Sequence, residues 1–197
     1  AEKFYFDDTV RKKKRNELGY TNEFVVGHVG RISYQKNHKF LIEIFNEIQK
    51  KESRATLMLV GVGEKEQEVR EQIKNLNLEN KVKFLGNRSD VYELYQAMDV
   101  FVLPSFFEGI PVVGIEAQFA DLPCVFSDKT PSEVKFNRKC EFVSLKSTAE
   151  EWTKAILTAR YQNRSSKNTD IINSHYNIKI AHFILDDYYS HVKEQIL

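Results

Sequence analysis

Short apolar runs alternate with stretches of helical periodicity from Glu23 to about Val143, and this alternation limits the fold more than any other feature of the chain. Phe24-Val25-Val26-Gly27-His28-Val29 reads as a first strand. Phe40, Leu41, Ile44, Phe45 and Ile48 then form a helical stripe. Thr56 to Val60 is a second strand, ended by Gly61-Val62-Gly63, and Val69, Ile73 and Leu76 mark the next helix. Val82 to Leu85 is a third strand, ended by Gly86. Val91, Leu94, Tyr95 and Met98 give a further helix with Ser89 or Asp90 as N-cap. Val100 to Leu103, Pro123 to Phe126 and Glu141 to Val143 complete the strand set. Near-continuous apolar strands, rather than strands alternating apolar with polar, belong to a parallel sheet covered by helices on both faces. The expected fold is therefore α/β: a Rossmann-like, doubly wound, six-stranded parallel sheet in the order 3-2-1-4-5-6. Asp8 to Leu18 reads as a leading helix closed by Gly19. From Thr148 onward the pattern is helical, with Trp152, Ile156 and Ala159 on one face and Ile180, Phe183, Ile184 and Tyr188 on another. No repeat or linker divides the 197 residues, which read as one domain, 1–197.

Net charge is +1, so no global field draws the chain to nucleic acid. No apolar run approaches the ~20 residues that span a bilayer, and no signal peptide is recognisable. Two cysteines, Cys124 and Cys140, make neither a disulfide framework nor a zinc set and read as buried thiols in a reducing, cytoplasmic compartment. The five histidines show no metal spacing. His28 reads as a core residue, and His38 lies within reach of the loop after the first strand.

Ligands of open α/β sheets bind above the carboxyl ends of the strands where the chain reverses direction, here between strands one and four. The loop after strand one is Gly30-Arg31-Ile32-Ser33-Tyr34-Gln35-Lys36-Asn37, and the loop after strand four is Pro104 to Pro111. Topology places Arg31 and Lys36 beside Glu108 and a helix start at Gly109, with Pro111 at the first helical position. Two cations and free backbone N–H groups make an anion cradle suited to a diphosphate. Glu116, deeper in that helix, suits vicinal hydroxyls such as those of a ribose. Each residue taken singly also reads as ordinary surface charge. Gly61-Val62-Gly63 is a poor dinucleotide fingerprint, because it follows the second strand and lacks the third Gly.

These elements together resemble the C-terminal domain of retaining glycosyltransferases of the GT-B fold, family 4. Glu108 and Glu116 match the family's Glu-x7-Glu signature. Val29-Gly30-Arg31 with Lys36, Leu59 to Gly63, Phe84-Leu85-Gly86, Ala97-Met98-Asp99-Val100, Pro104-Ser105, and Glu116-Ala117 followed by Pro123 all fall in family order. The resemblance covers about residues 4–145. Gln35-Lys36-Asn37-His38 is similar to exopolysaccharide and capsule-type members.

The resemblance implies a nucleotide-sugar donor, favouring UDP, with no metal or other cofactor. It implies Arg31 and Lys36 on the diphosphate as electrostatic stabilisers of the leaving group, and Glu116 on the ribose. Glu108 would face the sugar, the N–H groups of Gly109, Ile110 and Val112 the sugar and β-phosphate, and Asn87 and Arg88 the base. It also implies a saccharide or lipid-linked acceptor bound by an N-terminal domain. The chain starts near where the interdomain linker would end, so an excised donor half, poorly active alone, is expected.

The sequence departs from the family at Asp121, where Gly is usual, which leaves a local turn open, and at Ile110, where an aromatic or Leu is common. The basic run Arg11-Lys12-Lys13-Lys14-Arg15 reads either as a solvated helix face or as peripheral contact with the inner face of the plasma membrane. Rival readings are a retaining glycosidase with carboxylates roughly 5 Å apart, a non-enzymatic nucleotide-binding module, and a GT-B-like nucleotide-sugar epimerase.

Overall fold

A computed structural model describes residues 2–177. Ile180, His182, Phe183, Ile184, Tyr188, Tyr189 and His191 fall outside the described residues, so their expected helical faces are not part of the fold below.

The elements run α1 (Asp8–Glu17), β1 (Phe24–Val29), α2 (His38–Lys51), β2 (Ala55–Val60), α3 (Glu66–Asn75), β3 (Val82–Phe84), α4 (Val91–Ala97), β4 (Val100–Leu103), α5 (Val112–Phe119), β5 (Cys124–Ser127), β6 (Cys140–Val143), α6 (Ala149–Ala159) and α7 (Thr169–Ile172). The strands form one sheet in the order β3-β2-β1-β4-β5-β6, and every neighbouring pair is parallel. The expected doubly wound architecture is the observed one. All residues of β1, β2, β4 and β5 are buried, which explains their lack of polar alternation.

The sheet separates two cores. On one face α2, α3 and α6 cover Leu57, Leu59, Val100 and Val102, with Trp152 fully buried. The indole also donates to Ser144 O at 3.0 Å, so its one polar atom is paired. On the other face α4 and α5 cover Met58, Phe101, Leu103 and Phe126. Thr148 caps α6 in a reciprocal box with Glu151. Beyond α6 the helical expectation fails: residues 160–168 are turn and coil before the short α7.

The solvated-face reading of the basic run fails for three of its five residues. Arg11 donates to Gln96 O and Met98 O and pairs with Asp99. Lys14 is buried among Glu17, Asp90 and Glu93 at 2.7–2.8 Å. Arg15 donates to Ala97 O, Glu23 O and Asp99. Only Lys12 and Lys13 of the five are exposed. Arg11 and Arg15 therefore bind α1 to the C-terminal end of α4, where carbonyls lacking helical partners favour positive charge, and Lys14 binds it to the carboxylates at the start of α4. The expected N-cap role of Asp90 is displaced by the same network: it occupies the cap position, but its side chain makes no cap bond and accepts from Arg88 and Lys14 instead.

Asp121 keeps the left-handed backbone that a Gly would supply, at φ 51°. Its buried carboxylate accepts from Asn137 Nδ2, Asn168 Nδ2, Lys139 Nζ and Ser165 N, at 2.5–3.1 Å. The turn survives because these bonds offset the strain of a non-Gly residue at positive φ.

Candidate functional site

The two loops that topology brings together are joined by side chains of the first. Asn37 ends its loop in the left-handed region at φ 54°. It does not cap α2 with its side chain but donates Nδ2 to Pro104 O at 3.1 Å. Phe106 N donates to Gln35 O at 2.9 Å. Gln35 Nε2 reaches both Phe107 O (2.9 Å) and Glu108 Oε2 (3.2 Å). Lys36 Nζ lies 2.6 Å from Glu108 Oε1, with the two side chains 14% and 5% exposed. The predicted meeting of Lys36 with Glu108 is thus present, and it is a largely desolvated pair.

Arg31 stands apart from that pair. Its guanidinium is 74% exposed and bonds Glu64 Oε2 at 3.0 Å, from the loop after β2. Arg31 thus pairs with Glu64, whereas Lys36 pairs with Glu108. The loop after β2 lies directly over the loop after β1. Ile32 N donates to Val62 O, and Lys65 N to Ile32 O. A Cβ on Gly63 would stand 2.1 Å from Ile32 O, and one on Gly61 would stand 2.2 Å from Gly30 O. These glycines permit a close backbone crossing, a role unrelated to a dinucleotide fingerprint. Gly30, Arg31, Gly61, Asn87 and Arg88 line a cleft of about 500 Å³ beside it. Asn87 is exposed, whereas the Arg88 side chain is held by Asp90 through two bonds of 2.7 Å.

Pro111 sits one residue earlier than expected, at the N-cap of α5 with φ −74° and ψ 107°, and Val112 is the first helical residue. Gly114 N and Ile115 N donate to Pro111 O. The first turn therefore leaves the N–H of Val112 and its neighbours without helical acceptors, while Gly109, Ile110 and Val112 are exposed. Deeper in α5, Glu116 accepts from Tyr95 OH at 3.1 Å, and that hydroxyl also reaches Val113 O. Burial pushes the Glu116 carboxyl above its ordinary pKa, against the opposing pull of Tyr95 and Lys3.

Beneath the loops lie two buried imidazoles. His28 Nδ1 is 2.8 Å from Val102 O, but its Nε2 and both ring nitrogens of His38 have no partner among the described residues. The rings meet edge to face at 4.6 Å. Burial pushes His38 down to about 4, helped by the nearby Lys36 charge, so both rings are neutral at pH 7. His28 is therefore a core histidine only half satisfied. Gln35, Asn37 and Tyr95 were given no site role by sequence. Asn37, an Asn directly before a helical stripe, carried a local signal; the partners of Gln35 and Tyr95 are long-range and carried none. Among the described residues no three His, Cys, Asp or Glu side chains form a metal-binding group.

Residues 10–174 match the family described as glycosyl transferases group 1. The chain belongs to that family. Within group 1 it is similar to EpsF of Bacillus subtilis, 39% identical over 113 residues, which covers 57% of this chain and 29% of EpsF. It is also similar to the UDP-Gal:α-D-GlcNAc-diphosphoundecaprenol α-1,3-galactosyltransferase of Escherichia coli, 36% identical over 110 residues, 54% of this chain and 28% of that enzyme. The match spans less than a third of these curated relatives. Among solved structures, Anabaena HepE in complex with UDP-glucose superimposes with a TM-score of 0.79 at 26% identity, covering 95% of this chain and 54% of HepE. The fold of this group 1 chain is one half of a GT-B arrangement.

Proposed function

We propose that this domain binds the nucleoside-diphosphate sugar, a UDP-hexose, of a retaining glycosyltransferase that works without a metal ion. The observation that carries the reading is the junction of the two loops. It sets Lys36, Glu108 and the open start of α5 together at the strand-one/strand-four crevice, where an anionic donor suits the charge and the free N–H groups. HepE's complex with UDP-glucose supports UDP as the nucleotide and a hexose as the sugar.

In this reading Lys36 and Arg31 receive the diphosphate, and Arg31 leaves its exposed pair with Glu64 to do so. The N–H groups of Gly109, Ile110 and Val112 meet the sugar and β-phosphate. Glu116 accepts from the ribose hydroxyls, and Asn87 and Arg88 flank the base in the 500 Å³ cleft. As the glycosidic bond to the diphosphate breaks, negative charge grows on the leaving phosphate oxygens. Lys36, Arg31 and the α5 start stabilise that charge most in the transition state. Glu108 faces the sugar, positioned by Lys36 and Gln35. The acceptor, a growing polysaccharide or a lipid-linked saccharide, is held by an N-terminal half, so the domain alone transfers poorly. The E. coli relative, named for a diphosphoundecaprenol substrate, supports the lipid-linked class.

Calorimetry with UDP-, GDP- and ADP-glucose in the presence of EDTA tests the reading. Binding of the UDP-sugar with no need for added divalent cation is expected. Binding that appears only with a metal ion contradicts the metal-free reading, and no binding of any of the three contradicts the donor site. Conversion of the bound sugar to its epimer without acceptor points to the epimerase instead.

A further inference from the structure

A second groove opens on the other side of the loop after β1, between the starts of α2 and α3. It holds about 360 Å³ and is lined in part by Ser33, Tyr34, His38, Glu68, Gln72 and Phe106. Tyr34 and Phe106 stack with centroids 4.8 Å apart and planes inclined by 27°. They remain 66% and 37% exposed, an aromatic pair open to solvent. His38 is 2% exposed, and neither ring nitrogen has a partner among the described residues. A buried imidazole with both nitrogens unpaired is costly unless something else pairs them. At the rim Lys65 Nζ bonds Glu68 Oε1 at 2.5 Å, and Lys39 also lines the groove. Gln72 spends its Nε2 on Lys39 O at 3.0 Å, leaving its carbonyl oxygen as an acceptor.

We propose that this groove is a saccharide-binding subsite, separate from the donor crevice, that takes a neutral pyranose unit against Tyr34 and Phe106. A pyranose is amphiphilic in the same way as the groove. One face presents C–H groups that pack on an aromatic surface, and its edge carries hydroxyls that both donate and accept. Gln72 and Ser33 line the groove with groups that can pair with such hydroxyls, with the buried His38 ring behind them. The volume lies at the lower end of small-ligand sites, enough for one or two sugar rings. Tyr34 and Phe106 belong to the same two loops that carry Lys36 and Glu108, whereas α2 and α3 lie across the sheet from α5, which carries Glu116. A glycan held here sits beside the donor crevice without entering it.

The test is nuclear magnetic resonance titration of the 197-residue chain with maltotriose and with lactose, as gluco- and galacto-configured probes, and glycerol as control. Saturable shifts at the amides of Ser33, Tyr34, His38, Gln72 and Phe106 are expected with at least one sugar, with a dissociation constant in the millimolar range. The shifts should persist in saturating UDP. Tyr34→Ala, at an exposed position, should weaken sugar binding about tenfold while leaving UDP affinity and the melting temperature unchanged, and Tyr34→Phe should retain it. No saturable shift with either sugar overturns the proposal. So do shifts that UDP abolishes, which would assign the sugar to the donor crevice, and sugar binding indifferent to Tyr34→Ala. UDP affinity, measured on the same samples, reports separately on the donor site.

Discussion

At the residue scale, unlike environments give the two carboxylates of the Glu-x7-Glu element unlike behaviour. Glu108 is held by Lys36 and Gln35, whereas Glu116 accepts from a tyrosine hydroxyl and its carboxyl is pushed up by burial. A raised folded-state pKa means the folded protein holds this proton more tightly than the unfolded chain does. Glu116 therefore favours folding most at low pH, and that contribution is lost as pH rises through its folded value. Tyr95→Phe removes the hydrogen bond that holds the carboxylate, raising the Glu116 pKa further. UDP affinity in that variant should fall at a higher pH on acidification than in the parent, which calorimetry across pH 4–8 measures. The histidines act with the opposite sign. His38 is depressed from 6.5 to about 4, so the unfolded chain binds its proton first, and stability is lost as pH falls through that window. His38→Leu should flatten this acid limb by roughly 3 kcal/mol between pH 6.5 and 4, read from urea unfolding at each pH. An unchanged limb would assign the acid sensitivity elsewhere.

At the scale of elements, strands and their order were legible because full burial on both faces writes itself as apolar runs, and βα alternation leaves few topologies. What was not legible depends on partners distant in sequence. Five consecutive basic residues look like one surface feature, yet Arg11, Lys14 and Arg15 lock α1 to α4, with only Lys12 and Lys13 left in solvent. Arg11→Ala should destabilise the fold by about 2 kcal/mol, since its bonds include an ion pair and two carbonyls, while Lys12→Ala and Lys13→Ala should stay within about 0.5 kcal/mol. Asp121 teaches the same lesson at a turn. A Gly would relieve its backbone, but the carboxylate holds Asn137, Lys139, Ser165 and Asn168. Asp121→Gly should therefore destabilise by about 2 kcal/mol, and Asp121→Ala by about 3, because Ala keeps the strain and loses the bonds. Thermal unfolding of the two variants checks the order. The pairing of Arg31 with Glu64 was not legible, because it depends on the glycine crossing that brings the loop after β2 against the loop after β1.

At the scale of the whole molecule, the chain is a Rossmann-like half of a GT-B arrangement and belongs to glycosyl transferases group 1. Its charge and its sheet direct attention to one edge. There Lys36, Glu108 and the start of α5 meet, Arg31 and Glu116 flank them, and the exposed apolar side chains Phe107, Ile110 and Val112 surround the opening. No helix among the described residues is long and apolar enough to cross a membrane. The central claim is that this edge binds the diphosphate and ribose of the donor. Calorimetric titration of UDP into the parent chain, Lys36→Ala, Glu116→Ala and, as a distant control, Lys51→Ala tests it most directly. Lys36→Ala and Glu116→Ala are each expected to weaken UDP at least tenfold, about 1.4 kcal/mol, with Lys51→Ala unchanged. Equal UDP affinity in the parent, Lys36→Ala and Glu116→Ala would contradict it.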